Sequence, residues 1–162
     1  MTNQNLDMSR VDLTDAKKTK VIGILQHQLY TAIDLHLQLK AAHWNVQGMH
    51  FIQLHELFDD MTDKARDWAD KLAERIATLG GEVKAGTADI QVNSQLQPYS
   101  AKDRSGKAQV TLVSNALAEF ANGCREAIDL SGKAGDAVTE DLFTGIAGEA
   151  DLQLWFAEAH LK

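Results

Sequence analysis

The sequence predicts an all-α protein, a four-helix bundle in which one long crossover joins the second long helix to the third. Three observations lead to this prediction. Apolar residues recur at helical spacing in four long segments of the 162-residue chain, which is enough for one domain. The chain contains a single proline, so helices can form almost anywhere along it. One polar connection, residues 82–102, is far longer than the others and holds that proline.

The first long helix is predicted to start after Thr14, whose hydroxyl can accept a hydrogen bond from the first helical turn. The residues before it, 1–13, are polar and are expected to form a flexible tail, so that the bundle domain spans residues 14–162. Apolar residues then follow at intervals of four: Val21, Leu25, Leu29, Ile33, Leu37 and Ala41. This series predicts a buried face. The helix is expected to end between Asn45 and Gly48.

The other helices follow from the same signals. The second long helix is predicted from about His50 to Leu79, where a Gly-Gly pair ends it. The crossover that follows, EVKAGTADIQVNSQLQPYSAK, is expected to hold one short helix. The third long helix is predicted over residues 103–130 and the fourth over residues 137–161, with SGKAGD as the break between them.

Composition and charge limit the classes of function. Asp and Glu number 23 against 16 Lys and Arg, for a net charge of -7. This balance disfavours a nucleic-acid-binding surface and suits a protein that handles cations. The single cysteine, Cys124, excludes an intrachain disulfide and fits a reducing compartment. With no signal peptide and no apolar run long enough for a membrane span, we expect a cytoplasmic protein.

A stripe of possible metal ligands runs along the second helix, in LHELFDDMTDKARDWADKLAER. With His55 at zero on a helical wheel of about 100° per residue, Asp59 lies at about 40°. Asp70 then lies at about 60° and Glu74 at about 100°. We call His55 and Asp59 the His–Asp pair, and Asp70 and Glu74 the Asp–Glu pair. The members of each pair are four residues apart and can converge on one ion, and imidazole with carboxylate suits iron(II).

The two pairs are too far apart to bind the same ion within one chain. Asp59 and Asp70 are separated by about 16 Å along a straight helix. A second copy running antiparallel removes the problem, because a two-fold axis near Ala65 places the His–Asp pair of one subunit opposite the Asp–Glu pair of the other. Ala65 is small enough to permit a close crossing of the helices. We therefore predict a metal site shared between subunits, with two sites per dimer.

The stripe has a simpler interpretation as ordinary charges on a solvated helix face, since Asp63 and Asp67 lie near it as well. A di-iron site inside one bundle is disfavoured. Such sites use a Glu with a His three residues later, and no Glu in this sequence has a His at that position. Spacing alone leaves the shared metal site and the solvated face as alternatives.

The stretches AAHWNVQGMHFIQLHELFDD and DKLAERIATLGG closely resemble the Dps family, the DNA-binding proteins from starved cells. The resemblance continues through ADIQVNSQLQPY and EADLQLWFAEAH and so spans nearly the whole chain. It implies a ferritin-like four-helix bundle with a short helix in the crossover, and a hollow homododecameric shell. It also implies a ferroxidase that oxidises iron(II), preferably with hydrogen peroxide, at the dimer interface. The ferric mineral stored inside would protect DNA and the cell from oxidative damage.

The family's ligands match this sequence one by one. The resemblance implies five residues that bind the metal and carry the catalysis: His43, His55, Asp59, Asp70 and Glu74. His43 comes from the first helix, in HWN, and the Asp–Glu pair would come from the partner chain. Trp44 matches the family's tryptophan beside the site and is expected to pack in the interface. Iron is the expected metal, with zinc a possible occupant of the same site, and oxygen stays open as an alternative oxidant.

An entry route for iron is also implied by the family, which has acidic pores at one type of three-fold axis. The matching segment is GDAVTEDLFTG, and its candidates are Asp136, Glu140 and Asp141. Asp141 is favoured because it best matches the family's aspartate at the start of the last helix. The alternative role for these residues is to complement the dipole of that helix.

Direct DNA binding is expected to be weak or absent. Family members that bind DNA often use a flexible tail rich in Lys and Arg, whereas residues 1–13 hold one basic residue against two acidic ones. Three lysines follow at the start of the first helix: Lys17, Lys18 and Lys20. An acidic shell is repelled by phosphate. A nucleoid-compacting protein with secondary iron chemistry, and a purely structural shell, are the competing functions.

Overall fold

The computed structural model describes residues 6–162 and confirms the predicted all-α fold. Five helices follow in order: α1 (Asp15–Asn45), α2 (Phe51–Thr78), α3 (Thr87–Asn93), α4 (Gly106–Ala134) and α5 (Ala137–Ala159). The four long helices form the bundle, with α1 packed on α2 and α4 on α5, and the crossover carries the short α3 against α1. In this part of the chain no helix has the length and hydropathy needed to cross a membrane.

One face of each long helix builds the core. Its largest fully buried side chains are Trp68, Phe58, Phe120 and Phe143. On α1 the predicted four-residue series enters the core at its first three positions, but Leu37 is 54% exposed. Each step of four residues advances about 40° beyond a full turn, so a long series rotates off the buried face. The core therefore continues through Leu35 and Leu39 instead.

The end of α4 lies beyond the predicted one. The segment SGKAGD predicts a break after Leu130, yet the helix continues to Ala134. Gly135 then adopts a left-handed conformation with φ 79°, and its N–H donates to the carbonyls of Ser131 and Gly132. Glycine is favoured at this position just past a helix, because it has no Cβ to clash in the left-handed region. One glycine, rather than the whole segment, ends the helix.

Residues 6–13, the N-terminal segment, lie against the end of α2. The N–H of Asp7 donates to the carbonyl of Gly80 at 2.8 Å, and the Ser9 hydroxyl donates to the carbonyl of Thr78 at 2.8 Å. The buried Lys18 donates to the carbonyl of Ser9 at 3.1 Å. Three apolar side chains pack against the core: Leu6, Val11 and Leu13. These contacts hold a stretch predicted to be loose, while residues 1–5 of the predicted tail lie outside the described residues.

Replacing Gly80 by Ala is expected to destabilise the protein by about 2 kcal/mol. Gly80 has φ 85°, and a Cβ there would collide with the carbonyl oxygen of Asp7. The free energy of unfolding from urea denaturation measures the effect. The control is Gly23→Ala in α1, where a Cβ meets nothing within 4 Å. It should stabilise by about 0.5–1 kcal/mol, and equal effects of the two substitutions would contradict this account.

Candidate metal centre

The His–Asp pair and His43 meet where the end of α1 packs on the start of α2. His43 lies in the last turn of α1 and is 7% exposed. Its ring stacks on that of His55, with 3.7 Å between ring centroids. Asp59, one turn further along α2, places a carboxylate oxygen 3.9 Å from Nδ1 of His43. The structure therefore brings together three of the five predicted ligands.

Two reciprocal hydrogen bonds fix the orientation of both imidazoles. Nδ1 of His43 lies 2.7 Å from the carbonyl oxygen of His55, and Nδ1 of His55 lies 2.9 Å from the carbonyl oxygen of His43. A carbonyl oxygen only accepts, so each Nδ1 must carry the proton. Each neutral ring then has its lone pair on Nε2, the atom that can bind a metal. The packing of α1 on α2 thus selects the metal-binding tautomer.

Lys40 lies beside these three residues, although the sequence did not predict it there. Its ammonium group donates to the Asp59 carboxylate and forms an ion pair with it. This hydrogen bond holds the pKa of Asp59 below its ordinary value, against a smaller opposing effect of burial, and His43 and His55 also lower it. Lys40 is three residues before His43, but spacing along α1 does not show that its ammonium group reaches Asp59 on α2.

The Asp–Glu pair lies further along the same side of α2. Asp70 and Glu74 are both exposed, and neither forms an ion pair within residues 6–162. Asp70 borders a groove between α1 and α2 whose floor includes Leu29 and Ile33. In the described part of one chain, no three His, Cys, Asp or Glu side chains converge tightly enough to hold a metal ion. A single chain therefore presents the five predicted ligands in two separate groups.

The prediction that Ala65 permits a close crossing of the helices of two subunits is wrong, whereas the two-fold axis midway between the two pairs stays a prediction. Ala65 is fully buried in the core of its own chain, so its side chain cannot contact a helix of another subunit. On the wheel that places the ligands, Ala65 lies about 130° from the middle of the stripe, although its position midway between the two pairs and its small size suggested a crossing point. Asp63 and Arg66 occupy the middle of the stripe, where they form an exposed ion pair of 3.3 Å.

Exposed apolar side chains surround the two histidines. Trp44 is 70% exposed and Met49 is 93% exposed. Phe51 lies with its ring centroid 5.0 Å from that of His55, and Ile52 follows it on the surface. An exposed apolar patch of this kind is typical of a surface that contacts another protein.

The acidic segment at the start of α5 divides into a buried residue and accessible ones. Asp136 caps α5 by accepting hydrogen bonds from the N–H and the hydroxyl of Thr139. Both of its carboxylate oxygens also accept from the Arg75 guanidinium group, at 2.9 and 3.0 Å. It is 3% exposed. We therefore correct the prediction of a pore role for Asp136, because its carboxylate is fully engaged. Asp141 is exposed and Glu140 is partly exposed.

Comparison with known proteins shows one consistent similarity. Residues 22–162 match the ferritin family, described as a ferritin-like domain. A curated relative from Agrobacterium fabrum, named DNA protection during starvation protein, is 37% identical over 151 residues, 93% of each chain. The structure of Mycobacterium smegmatis Dps in a tetragonal form superimposes with a TM-score of 0.91 at 35% identity, covering 96% of this chain and 95% of that one. The structure of DpsA14 from Streptomyces coelicolor superimposes with a TM-score of 0.91 at 34% identity, covering 98% of this chain and 94% of that one.

Proposed function

The chain belongs to the Dps family of ferritin-like proteins, and on this premise we propose that it is a ferroxidase that stores iron in a shell of twelve copies. The observation that supports this best is the pair of reciprocal histidine hydrogen bonds, which leave two Nε2 lone pairs beside the ionised Asp59. Imidazole and carboxylate together suit iron(II) as the substrate.

We propose that each site is completed by the partner subunit. His43 and the His–Asp pair of one chain would bind iron(II) together with the Asp–Glu pair of the other. Carboxylate oxygens are hard ligands and favour iron(III) over iron(II), which assists oxidation. The exposed apolar patch around His43 would be covered by this contact, so that water is excluded from one side of the site.

Hydrogen peroxide is the proposed oxidant. Two iron(II) ions would each give one electron to a peroxide molecule, which takes up two protons and leaves as two waters. The reaction consumes both reagents from which hydroxyl radicals form, and this would protect DNA without contact between protein and DNA. Imidazole and carboxylate side chains of the five residues would hold iron(II) at the interface and would leave it accessible to the oxidant.

The proposal is tested by loading the protein with iron(II) without oxygen and then adding peroxide. Absorbance follows iron oxidation, and native mass spectrometry gives the size of the particle. We expect rapid oxidation in a twelve-subunit shell, abolished in His43→Ala/His55→Ala. The control removes two other histidines, His27→Ala/His160→Ala, and should oxidise iron normally. A shell that oxidises iron no faster than buffer would leave a structural or DNA-related function.

Replacing Lys40 by Met is expected to raise the affinity for iron(II) about fivefold, because a positive charge near 4 Å from a cation costs about 1 kcal/mol in water. Lys40 also competes with the metal for the Asp59 carboxylate. Anaerobic titration calorimetry measures the affinity. Lys64→Met removes an exposed lysine from the opposite side of α2 and should leave the affinity unchanged. Weaker binding in Lys40→Met would mean that Lys40 helps to hold the metal.

Iron is proposed to enter the shell past Asp141 and Glu140. Both carboxylates are accessible at the start of α5, unlike that of Asp136. Negative side chains at a narrow opening concentrate cations and raise their rate of entry.

A location in the bacterial cytoplasm is part of the proposal. Cys124 is the only cysteine of the chain and is free and buried. Burial raises the pKa of its thiol to about 12, so that it stays protonated and unreactive. The fold therefore needs no oxidising compartment.

Plasmid DNA is expected to show no retardation in gels at physiological salt and neutral pH. The net charge of the chain is -7, and Lys18, one of three lysines at the start of α1, is buried and bonded to the Ser9 carbonyl. An acidic surface with few free cations is repelled by phosphates. Retardation under these conditions would favour the nucleoid-compacting function, and its loss with added salt would show that the contact is electrostatic.

A further inference from the structure

We propose that Asp63 and Arg66 fix the register of the two subunits by forming salt bridges across the two-fold axis, Asp63 of each chain with Arg66 of the other. This inference rests on the proposed shared metal site. It adds to that site a contact between subunits that binds no metal and selects how the two α2 helices align. The occupant of this surface is a second copy of the same chain.

The register follows from the positions of the ligands. When two copies of a helix run antiparallel about a two-fold axis, residues equally far from the midpoint on either side face each other. His55 and Glu74 are equally far from the point between residues 64 and 65, as are Asp59 and Asp70. Asp63 and Arg66 share this midpoint. The register that assembles both metal sites therefore places Asp63 opposite Arg66 twice.

Both residues point toward the same side of α2 as the ligands. On the wheel with His55 at zero, Arg66 lies at about 20° and Asp63 at about 80°, within the sector that the ligands span. Their side chains are 71% and 69% exposed, so both are free to contact another subunit. Their ion pair within the chain is an exposed pair of a kind that contributes little to stability. Replacing this pair by salt bridges across the axis therefore costs little free energy.

Charge complementarity supports a second copy as the occupant. Seven polar residues lie in the sector on α2: His55, Glu56, Asp59, Asp63, Arg66, Asp70 and Glu74. Arg66 is the one permanent cation among them. Before iron binds, the crossing would bring acidic half-sites toward each other and cause repulsion. Two arginine–aspartate contacts between the metal sites oppose this repulsion and favour the aligned register.

Charge reversal with mixed subunits tests the proposal. Asp63→Arg places Arg opposite Arg in its own dimer, and Arg66→Asp places Asp opposite Asp. We expect each variant alone to dissociate at about tenfold higher concentration than wild type, because like charges face each other twice. When the two variants are co-expressed with different tags, mixed dimers restore opposite charges across the axis. Within each mutant chain, residues 63 and 66 carry like charges in mixed and unmixed dimers alike. The two kinds of dimer therefore differ only in the charges that face each other across the axis.

After the metal-free shells have been dissociated into dimers, native mass spectrometry counts the mixed and unmixed dimers. Random pairing gives half mixed dimers, whereas we expect mixed dimers to exceed about nine in ten. Random pairing would overturn the proposal, since it would show that the two residues interact only within a chain. The double variant Asp63→Arg/Arg66→Asp should associate like wild type. Asp63→Lys with Arg66→Glu repeats the test if either first variant folds poorly.

The result is separable from the proposed function. Iron oxidation by wild type tests the ferroxidase independently of subunit pairing. Random mixing with normal iron oxidation would refute the salt bridges and leave the ferroxidase in place. Preferential mixing without iron oxidation would support the salt bridges and refute the ferroxidase.

Discussion

Co-expression of two inactive variants is expected to restore about a quarter of the wild-type rate of iron oxidation. One variant lacks the His–Asp pair, His55→Ala/Asp59→Ala, and the other lacks the Asp–Glu pair, Asp70→Ala/Glu74→Ala. In a mixed dimer one site receives both intact halves and the other receives both defective halves. Random pairing makes half of the dimers mixed, so about a quarter of all sites are intact.

The rate of iron oxidation by each variant alone should fall more than about 100-fold. Removal of ligands lowers activity at least as much as removal of the groups that orient them. Stopped-flow absorbance after addition of peroxide measures the rate. The control mixes the two variants after separate purification, without exchange of subunits, and should stay inactive. Failure of co-expression to restore any activity, with mixed shells present, would place the complete site within one chain.

Replacing Arg75 by Met is expected to lower the free energy of unfolding by about 3–5 kcal/mol, since it leaves a buried carboxylate without its cation. Arg75 is 13% exposed and its partner Asp136 is 3% exposed. Chemical denaturation measures the loss. Arg125→Met breaks the pair with Asp151, in which the two side chains are 51% and 43% exposed, and should cost about 0–1 kcal/mol. Similar costs for the two variants would refute the distinction by burial.

The ion pair between Arg75 and Asp136 makes the free energy of unfolding depend on pH. Burial alone would raise the pKa of Asp136, but hydrogen bonds from Thr139 and Arg75 and the charge of Arg75 outweigh it, so its pKa lies below the ordinary value. In the unfolded chain the pKa of an aspartate is about 3.9. Because the pKa of Asp136 is lower in the folded protein, its carboxylate stabilises the fold above that pH. This contribution is lost as pH falls through the pKa of the folded state. Asp136→Asn should flatten the dependence of the free energy of unfolding on pH below about pH 4 in denaturation series. An unchanged slope would contradict this role.

The helices and half of the site could be predicted because both depend on short spacings. Periodicity located the four long helices, and the four-residue interval identified His55 with Asp59. Lys40 escaped because its partner lies on another helix, and contact between helices depends on packing rather than spacing. Asp136 was misplaced for the same reason, since the sequence does not show that Arg75 covers it.

The errors at Ala65 and Leu37 have a common physical origin. Both came from a pattern read without following its rotation around the helix. Ala65 was chosen for its size although its angle turns it into the core, and Leu37 extended a series that had already left the core. The angle of each residue around its own helix, compared with that of the core residues, would have corrected both.

The reciprocal bonds between His43 and His55 have a consequence for how the protein works over time. Because folding itself orders both rings, the entropy of arranging them is spent before any ion arrives. The empty and the occupied site should then have the same ring positions. A site that need not reassemble can release its product and accept the next ion at once, which suits a catalyst of many cycles rather than a trap that closes on one ion.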